Sequence, residues 1–265
     1  MSKIKKPLKI KIISVGNSEV GKSCIIKRYC EKRFVPKYLQ TIGIDYGVTK
    51  VNLNNRELKV NIFDMSGHVF FHEVRNEFYK DTQGVILVFD VTDRSSFESL
   101  DDWINEIKQD LEANKHGSID NIVFVLCANK IDKGKRVVDE GDARIWALTK
   151  GFHYFETSAS SAAGVNEMFE TLLNEIINAF ENGGKPIQTQ TSLSKDQIDA
   201  IQRLKNSKDN YERLGLKFGC TKEEVNNSFR RLAKLLHPDK NIHPGSTEAF
   251  KILISAKTDL LRNFS

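Results

Sequence analysis

An eight-residue segment near the amino terminus has the residue types and the spacing of a phosphate-binding loop. Gly16 to Ser23 reads Gly-Asn-Ser-Glu-Val-Gly-Lys-Ser and matches the pattern G-x-x-x-x-G-K-[ST] in full. Its glycines let the backbone curl so that N–H groups face phosphate oxygens. Lys22 would bridge β- and γ-phosphates, and the Ser23 hydroxyl would bind Mg²⁺. A chance glycine-rich turn is disfavoured, because the apolar run 8–15 precedes the loop and a helical pattern follows it.

A short polar motif downstream indicates which base the nucleotide carries. Asn129-Lys130-Ile131-Asp132 follows a buried apolar run, at the carboxyl end of a strand, where ligands bind in sheets of this kind. A carboxylate at Asp132 can accept hydrogen bonds from N1–H and the exocyclic amine of guanine, and adenine offers neither in that geometry. Alone, the pattern is usually a polar loop. Behind a phosphate-binding loop it predicts a site for guanine nucleotides.

These two motifs make residues 8–182 resemble a small GTPase of the Ras superfamily, closest to the Rab branch. The run Thr-Ile-Gly-Ile-Asp-Tyr at 41–46 is similar to the Rab switch I segment, and Asp-Met-Ser-Gly at 64–67 is similar to the D-x-x-G motif. The resemblance implies that Thr41 is a second Mg²⁺ ligand that senses the γ-phosphate. It also implies that Asp64 holds Mg²⁺ through water and that the Gly67 amide meets the γ-phosphate.

The same resemblance implies how the base is held. Phe34 packs against guanine, Lys130 packs along the base and ribose, and the Ala159 amide in Thr157-Ser158-Ala159 contacts the base oxygen. The implied cofactors are GTP or GDP with Mg²⁺, and the implied metal ligands are Ser23, Thr41 and Asp64. The implied nucleotide-binding residues are Gly16, Asn17, Ser18, Glu19, Val20, Gly21, Lys22, Ser23, Cys24, Phe34, Gly67, Asn129, Lys130, Asp132, Ser158 and Ala159.

One departure from the family pattern concerns catalysis. The residue after the D-x-x-G glycine is normally a glutamine that orients the attacking water, and His68 stands there. A neutral imidazole has one donor and one acceptor at separate ring positions, so it cannot copy the glutamine amide. Hydrolysis would depend on Lys22, Thr41 and His68, and we expect it to be slow.

Two further departures surround the site. Val69-Phe70-Phe71, within the switch II segment at 66–80, includes the positions where Glu-Arg is usual. The run is either local packing of that segment or an exposed patch that binds a partner. Ser160 stands where a lysine is usual, which predicts looser packing along the base edge.

The pattern of elements predicts an α/β protein with a second, helical domain. The resemblance implies a P-loop GTPase fold with a mostly parallel six-stranded sheet, and alternating strand and helix patterns agree with it. We expect a GTPase domain at residues 1–182, a linker and connecting helix at 183–208, and a small all-α helical hairpin at 209–265. Strand patterns lie at 8–15, 48–53, 58–63, 85–89 and 122–126, and helical patterns lie near 96–114, 139–150, 165–180, 195–206, 221–236 and 246–262.

The tripeptide His237-Pro238-Asp239 follows an amphipathic helical pattern that starts with a capping box at 221–224. Together with Tyr-Glu-Arg-Leu-Gly at 211–215, it makes residues 209–265 resemble a DnaJ-type J domain without a fourth helix. Two apolar stripes are predicted to pack against each other in this domain. Their residues are Val225, Phe229, Leu232 and Leu236 in one helix and Phe250, Leu253, Ala256 and Leu260 in the next.

This second resemblance implies docking to a DnaK-type heat-shock chaperone, whose ATP hydrolysis the domain would trigger. Asn226 and Asn227 replace residues that are often basic, so we expect weak docking. Residues 191–265 hold 14 Lys and Arg against 9 Asp and Glu, and therefore carry the whole net charge of +5, which suits an acidic partner. The implied docking residues are Arg230, Arg231, Lys234, His237, Pro238 and Asp239.

Composition and terminal sequences argue against several classes of protein and of binding site. No apolar run approaches the roughly 18 residues of a membrane span, and no secretory signal or lipidation motif is visible. The four cysteines form no C-x-x-C pair, which argues against a zinc site. No aromatic residues interleave the basic segment, which disfavours nucleic acid. We therefore expect a monomer without a stable membrane anchor, in the cytoplasm, the nucleus or both, with an unknown effector at the switch segments.

The leading interpretation is a GTP/GDP-binding switch, with slow intrinsic hydrolysis, attached to a co-chaperone module. One alternative is a GTP-stabilised signalling scaffold that barely hydrolyses its nucleotide. The other is a trafficking GTPase that an adaptor recruits to membranes. Single-turnover hydrolysis distinguishes the first alternative, and cell fractionation distinguishes the second.

Overall fold

A computed structural model describes residues 7–183, 186, 194–236 and 244–262. The chain divides into two units, of which the first contains residues 1–139 and 152–189 and the second contains residues 140–151 and 190–265. The second unit therefore takes one helix from the middle of the chain.

A six-stranded sheet forms the centre of the first unit, with the order β2-β3-β1-β4-β5-β6 among the described residues. β2 and β3 are antiparallel, and the other neighbouring pairs are parallel. All seven residues of β4 and of β5 are buried, as their continuous apolar runs indicate. The predicted mostly parallel sheet is confirmed. Its strands are β1 (Leu8–Val15), β2 (Ile44–Leu53), β3 (Arg56–Met65), β4 (Gly84–Asp90), β5 (Val123–Asn129) and β6 (His153–Thr157).

A tight turn at Asn54 and Asn55 joins β2 to β3, as the alternating patterns on either side of it predict. The two residues have φ values of 52° and 58°, which is the backbone of a type I′ turn. Asparagine tolerates this left-handed conformation better than most residues. The hairpin brings the switch I segment back to the D-x-x-G motif, because Asp45 pairs with Asp64 in register.

Helices complete both units, and one predicted helix is in fact two. The pattern near 96–114 is divided at Ser99, which caps the end of α3 and the start of α4. The described α-helices are α1 (Lys22–Glu31), α2 (His72–Asn76), α3 (Arg94–Glu98), α4 (Leu100–Ala113), α5 (Glu140–Lys150), α6 (Val165–Glu181), α7 (Lys195–Asn206), α8 (Asn210–Leu214), α9 (Lys222–Leu236) and α10 (Pro244–Arg262). Short 3₁₀ turns lie at Val69–Phe71 and Ile119–Asn121.

The core of the first unit joins the sheet to α1 and α6. Tyr29 of α1 stacks on Phe169 of α6 with ring centroids 3.7 Å apart. Gly84 begins β4 directly beneath α6, where an added Cβ would lie 2.8 Å from the side chain of Ile176. This packing holds α1, and with it the phosphate-binding loop before it, firmly against the sheet.

The second unit is a helical core in which most residues of both predicted apolar stripes are buried, and Phe229 and Phe250 are partly buried against it. Val225, Leu232 and Leu236 of α9 are buried against Leu253 and Leu260 of α10, in one cluster. The predicted capping box at the start of α9 is also present: the Thr221 N–H donates to Glu224 Oε2 at 2.7 Å, and the Glu224 N–H donates to Thr221 Oγ1 at 3.3 Å.

The connecting helix α7 belongs to the same core. Ile198, Ile201 and Leu204 are buried there together with Ile145 of α5. Lys205 of α7 reaches Asp142 Oδ1 on α5 at 3.0 Å and Glu248 Oε2 on α10 at 2.5 Å. The helical core therefore extends beyond the residues that resemble a J domain. Within the described part of the chain, we find no helix that has both the length and the apolar character needed to span a membrane.

We expect Leu253→Ala to destabilise the second unit by about 2–5 kcal/mol, because truncation of a fully buried leucine leaves a cavity. Leu253 is fully buried in the core of the helical unit. Hydrogen exchange of α9 peptides, followed by mass spectrometry, measures this loss. The matched control is Ile254→Ala at the next residue, whose side chain is 46% exposed. Equal protection in the two variants would contradict the assignment of this core.

Candidate functional site

The phosphate-binding loop runs from the end of β1 into α1, as its sequence predicts. Gly21 has φ 99°, and a Cβ there would lie 2.3 Å from Asn129 Nδ2, so the position accepts only glycine. Lys22 is buried, and its Nζ donates to the carbonyls of Gly16 and Asn17, each at 2.8 Å. Burial lowers the pKa of the Lys22 ammonium to about 8, although the charge of Asp64 raises it. A phosphate would restore the charged form, because an anion favours the ammonium.

The three predicted metal ligands converge on one another. Ser23 Oγ lies 2.5 Å from Asp64 Oδ2 and 3.0 Å from Thr41 Oγ1, and Thr41 Oγ1 lies 3.2 Å from the same carboxylate oxygen. The other oxygen, Asp64 Oδ1, is buried and has no hydrogen-bond partner among the described residues. Burial raises the pKa of this carboxyl above its usual range, although the hydrogen bond from Ser23 lowers it. Hydroxyl and carboxylate oxygens around an unpartnered carboxylate fit Mg²⁺.

A cavity of about 300 Å³ opens beside this cluster and extends to the base motifs. It collects most of the predicted nucleotide-binding residues, together with Thr41. The predicted residues that do not line it are Gly16, Asn17, Val20, Asp64 and Ser158. The predicted residues that line it are Ser18, Glu19, Gly21, Lys22, Ser23, Cys24, Phe34, Thr41, Gly67, Asn129, Lys130, Asp132 and Ala159.

Asn129 joins the two ends of the cavity. Its Nδ2 donates to the Val20 carbonyl at 2.8 Å, and its Oδ1 accepts from Thr157 Oγ1 at 3.2 Å and from the Ala159 N–H at 3.4 Å. The side chain is buried. Its amide therefore fixes the phosphate-binding loop relative to the base motif at 157–159, while Asp132 remains exposed at the cavity wall.

Two cations shape the end of the cavity where the base would lie. Lys130 Nζ lies 2.5 Å from Asp90 Oδ2 at the end of β4. Arg28 donates to the carbonyls of Ala159 and Ser160, each at 2.8 Å, and its guanidinium lies 6.0 Å from the centre of the Phe34 ring. Arg28 is absent from the sequence prediction, because its partners are more than 130 residues away along the chain.

The D-x-x-G glycine, Gly67, packs directly against the backbone of the phosphate-binding loop. A Cβ at Gly67 would lie 2.3 Å from the Ser18 nitrogen and 2.6 Å from the Gly16 oxygen. Ser66, one residue earlier, donates its N–H to the Gly43 carbonyl of switch I at 2.9 Å. Both switch segments therefore contact each other, and switch II also contacts the phosphate-binding loop.

His68 lies outside the lining of the cavity and is exposed. Its Nδ1 accepts a hydrogen bond from the Phe70 N–H at 3.1 Å and thereby caps the 3₁₀ turn at Val69–Phe71. With Nδ1 occupied, the neutral ring carries its proton on Nε2 and offers only a donor there.

A buried arginine in α2 is the main feature that sequence reasoning missed. Arg75 is 2% exposed, and it donates to the carbonyls of Ser66 and His68 and to the carboxylate of Glu106. Burial alone would lower the pKa of Arg75, but Glu106 outweighs it and the pKa rises above its usual value. The spacing of 31 residues between the two partners carries no local signal.

The predicted chaperone-docking residues are described only in part. Arg230, Arg231 and Lys234 are exposed on α9, and none of them forms an ion pair with another residue in the described ranges. His237, Pro238 and Asp239 lie outside the described residues. The described basic residues of α9 therefore face solvent, and their role in docking stays a prediction.

Comparisons with known proteins match both halves of the chain. The Ras family model matches residues 11–178, and the DnaJ domain model matches residues 209–263. A Gallus gallus protein named DnaJ homolog subfamily C member 27 is 62% identical over 262 residues, which cover 98% of this chain and 95% of that protein. The Homo sapiens protein of that name is 61% identical over 269 residues, which cover 99% and 98%. With a Ras model over more than half of its length, the chain belongs to the Ras family of GTPases and carries a DnaJ domain.

Proposed function

We propose that the protein is a Rab-like GTP/GDP-binding switch with slow intrinsic hydrolysis, and that its J domain recruits a DnaK-type chaperone. The observation that carries the first part is the single cavity in which Lys22, Ser23 and Asp132 meet. These residues supply a cation for phosphates, a metal ligand and an acceptor for guanine. The same cavity would suit adenine less well, because Asp132 offers acceptors where adenine has no matching donors.

Each side chain has a separate task in this proposal. Bound Mg²⁺ would neutralise charge on the β- and γ-phosphates, held by Ser23, Thr41 and Asp64. Lys22 would place its ammonium beside the same phosphates, and the N–H of Gly67 would donate to the γ-phosphate. Loss of that phosphate would remove the contacts of Thr41 and Gly67 together, and so change both switch segments.

Slow hydrolysis is supported by the hydrogen bond of His68 to its own segment. A glutamine at this position would present both a donor and an acceptor to the attacking water. His68 uses its acceptor on the Phe70 N–H. The neutral ring therefore cannot accept a hydrogen bond from water. This observation also favours a second candidate, a GTP-stabilised signalling scaffold with little hydrolysis.

An exposed apolar surface at the switch segments suits an effector protein. Val69 is 78% exposed, Phe70 79% and Ile42 81%. The exposed fractions favour a partner-binding patch over local packing for Val69 and Phe70. Phe71 is half-buried and packs against Phe70 with ring centroids 5.2 Å apart.

The first prediction of this proposed function concerns the choice of base. In a displacement titration of the GDP-loaded protein, we expect ATP to compete about 10⁴-fold less well than GTP, since a site built on hydrogen bonds rejects analogues that lack them. Asp132→Asn should weaken GTP binding by about tenfold or more, because one accepted hydrogen bond becomes a clash of donors. Asp120→Asn, at an exposed site outside the cavity, is the matched control. Equal competition by ATP and GTP would refute the guanine site.

The second prediction concerns the rate of hydrolysis. We expect His68→Gln to accelerate single-turnover hydrolysis by about 10- to 100-fold, the lower part of what a positioned group contributes. His153→Gln, on the edge strand β6, should leave the rate unchanged. An unchanged or slower rate in His68→Gln would mean that another residue positions the water. A negligible rate in the wild-type protein at saturating Mg²⁺ would favour the scaffold.

The third prediction concerns the chaperone. We expect the full-length protein to stimulate ATP turnover by a DnaK-type chaperone, and His237→Gln to abolish this stimulation while GTP binding persists. Arg230→Glu should weaken docking, and docking should weaken as salt rises, because the contact is between surface charges. Lys222→Glu, in the first turn of the same helix, is the control for charge alone. Stimulation that survives His237→Gln would overturn the chaperone role.

A further inference from the structure

Arg75 uses all its guanidinium nitrogens on groups of the first unit. Its Nη1 donates to the carbonyls of Ser66 and His68 at 3.1 and 2.7 Å. Its Nε and Nη2 donate to the two oxygens of Glu106 on α4, each at 2.9 Å. Tyr79 also donates its hydroxyl to Glu106. A bidentate pair of this kind fixes the plane of the guanidinium, so the two carbonyls meet donors at set positions.

The same arginine lies over an aromatic ring that contacts the phosphate-binding loop. Its guanidinium carbon is 4.8 Å from the centre of the Trp103 ring. Trp103 donates its Nε1–H to Asn17 Oδ1 at 2.8 Å, and Asn17 Nδ2 donates to Ser99 Oγ at 3.2 Å. Helix α4 therefore anchors the phosphate-binding loop through Trp103 and the switch II segment through Glu106 and Arg75.

The two carbonyls that Arg75 holds flank the Gly67 residue on both sides. Gly67 packs against the phosphate-binding loop so closely that a Cβ would lie 2.3 Å from the Ser18 nitrogen. At such a distance, a shift of the loop by a fraction of an ångström would move the Gly67 N–H away from the place of the γ-phosphate. Orientation of one donor is a large part of what a site for phosphoryl transfer supplies.

We propose that Arg75 is a positioning residue for the γ-phosphate: it holds the Gly67 N–H toward the phosphate-binding loop, braced by Glu106 and Trp103. This inference rests on the proposed function of the cavity as a GTP site. It differs from a purely structural ion pair, because the Gly67 N–H contacts a phosphate that GTP has and GDP lacks. Loss of Arg75 should therefore weaken GTP binding selectively.

The test compares the affinities of GTP and GDP in Arg75→Met and in the wild-type protein. We expect the ratio of GTP to GDP affinity to fall by about 10- to 100-fold, the equivalent of one lost hydrogen bond to a charged group. GDP affinity should stay within about twofold of the wild type, and single-turnover hydrolysis should slow. The matched control is Arg56→Met. Arg56 forms an ion pair with Glu181 at 3.7 Å and does not line the cavity.

Two milder variants keep the test decisive if Arg75→Met folds poorly. Glu106→Gln preserves the shape and removes the charge that orients Arg75, so it should lower the same ratio by a smaller factor. Arg75→Lys keeps the charge and loses the fork of donors, so it should not restore the ratio. An unchanged ratio, an equal loss of GTP and GDP affinity, or full rescue by lysine would each overturn the positioning role. Failure of the wild-type protein to bind guanine nucleotides would instead overturn the proposed function, and this inference with it.

Discussion

The buried carboxylate of Asp64, with one unpartnered oxygen, lies at the centre of the candidate site in the first unit. Asp64 is the next-to-last residue of β3, and only Ser23 and Thr41 donate to it within the described residues. Removing a charged group from water without full compensation costs several kcal/mol. A cation in the site would offset this cost, and burial raises the pKa of the Asp64 carboxyl above its usual range. α1, switch I and β3 therefore meet at a carboxylate whose burial outweighs the stabilising charge of Lys22 and the hydrogen bonds from Ser23 and Thr41.

Local patterns indicated five of the six strands and the motifs of the candidate site, whereas the sixth strand, β6 (His153–Thr157), was expected only from the family resemblance. The phosphate-binding loop, the asparagine turn at 54–55 and the capping box at 221–224 are each encoded within a few residues, and the structure contains all three. The division at Ser99 was not visible, because both helices share an uninterrupted amphipathic pattern. Motif spacing also could not reveal that the Asn129 side-chain amide forms hydrogen bonds with Val20 and Thr157 of the protein itself.

Contacts between distant residues were beyond the reach of the sequence. The Arg75–Glu106 pair joins two helices whose spacing has no fixed rule, and a buried arginine in a polar stretch resembles any exposed one until its partners are known. The use of α7 in the helical core was missed for a related reason. Its apolar residues indicate a helix with one buried face, but not the elements that cover that face. Periodicity predicts which residues are buried, whereas the choice of partner is settled by the whole packing.

The discontinuous composition of the second unit has a consequence for the order of folding. Its core combines Ile145 of α5 with residues of α10 that are made more than 100 residues later. A contact of such long sequence separation forms late, since the closure of a long loop must precede it. During synthesis on a ribosome, α5 would emerge together with the sheet. Its apolar side would stay uncovered until the last helices of the chain are made. A fragment that begins at residue 190 would lack Ile145 and Asp142, so the helical unit in isolation would have an incomplete core, and Lys205 would keep Glu248 but lose Asp142 as an ion-pair partner. The J domain of this protein is in that sense completed by a part of its GTPase sequence.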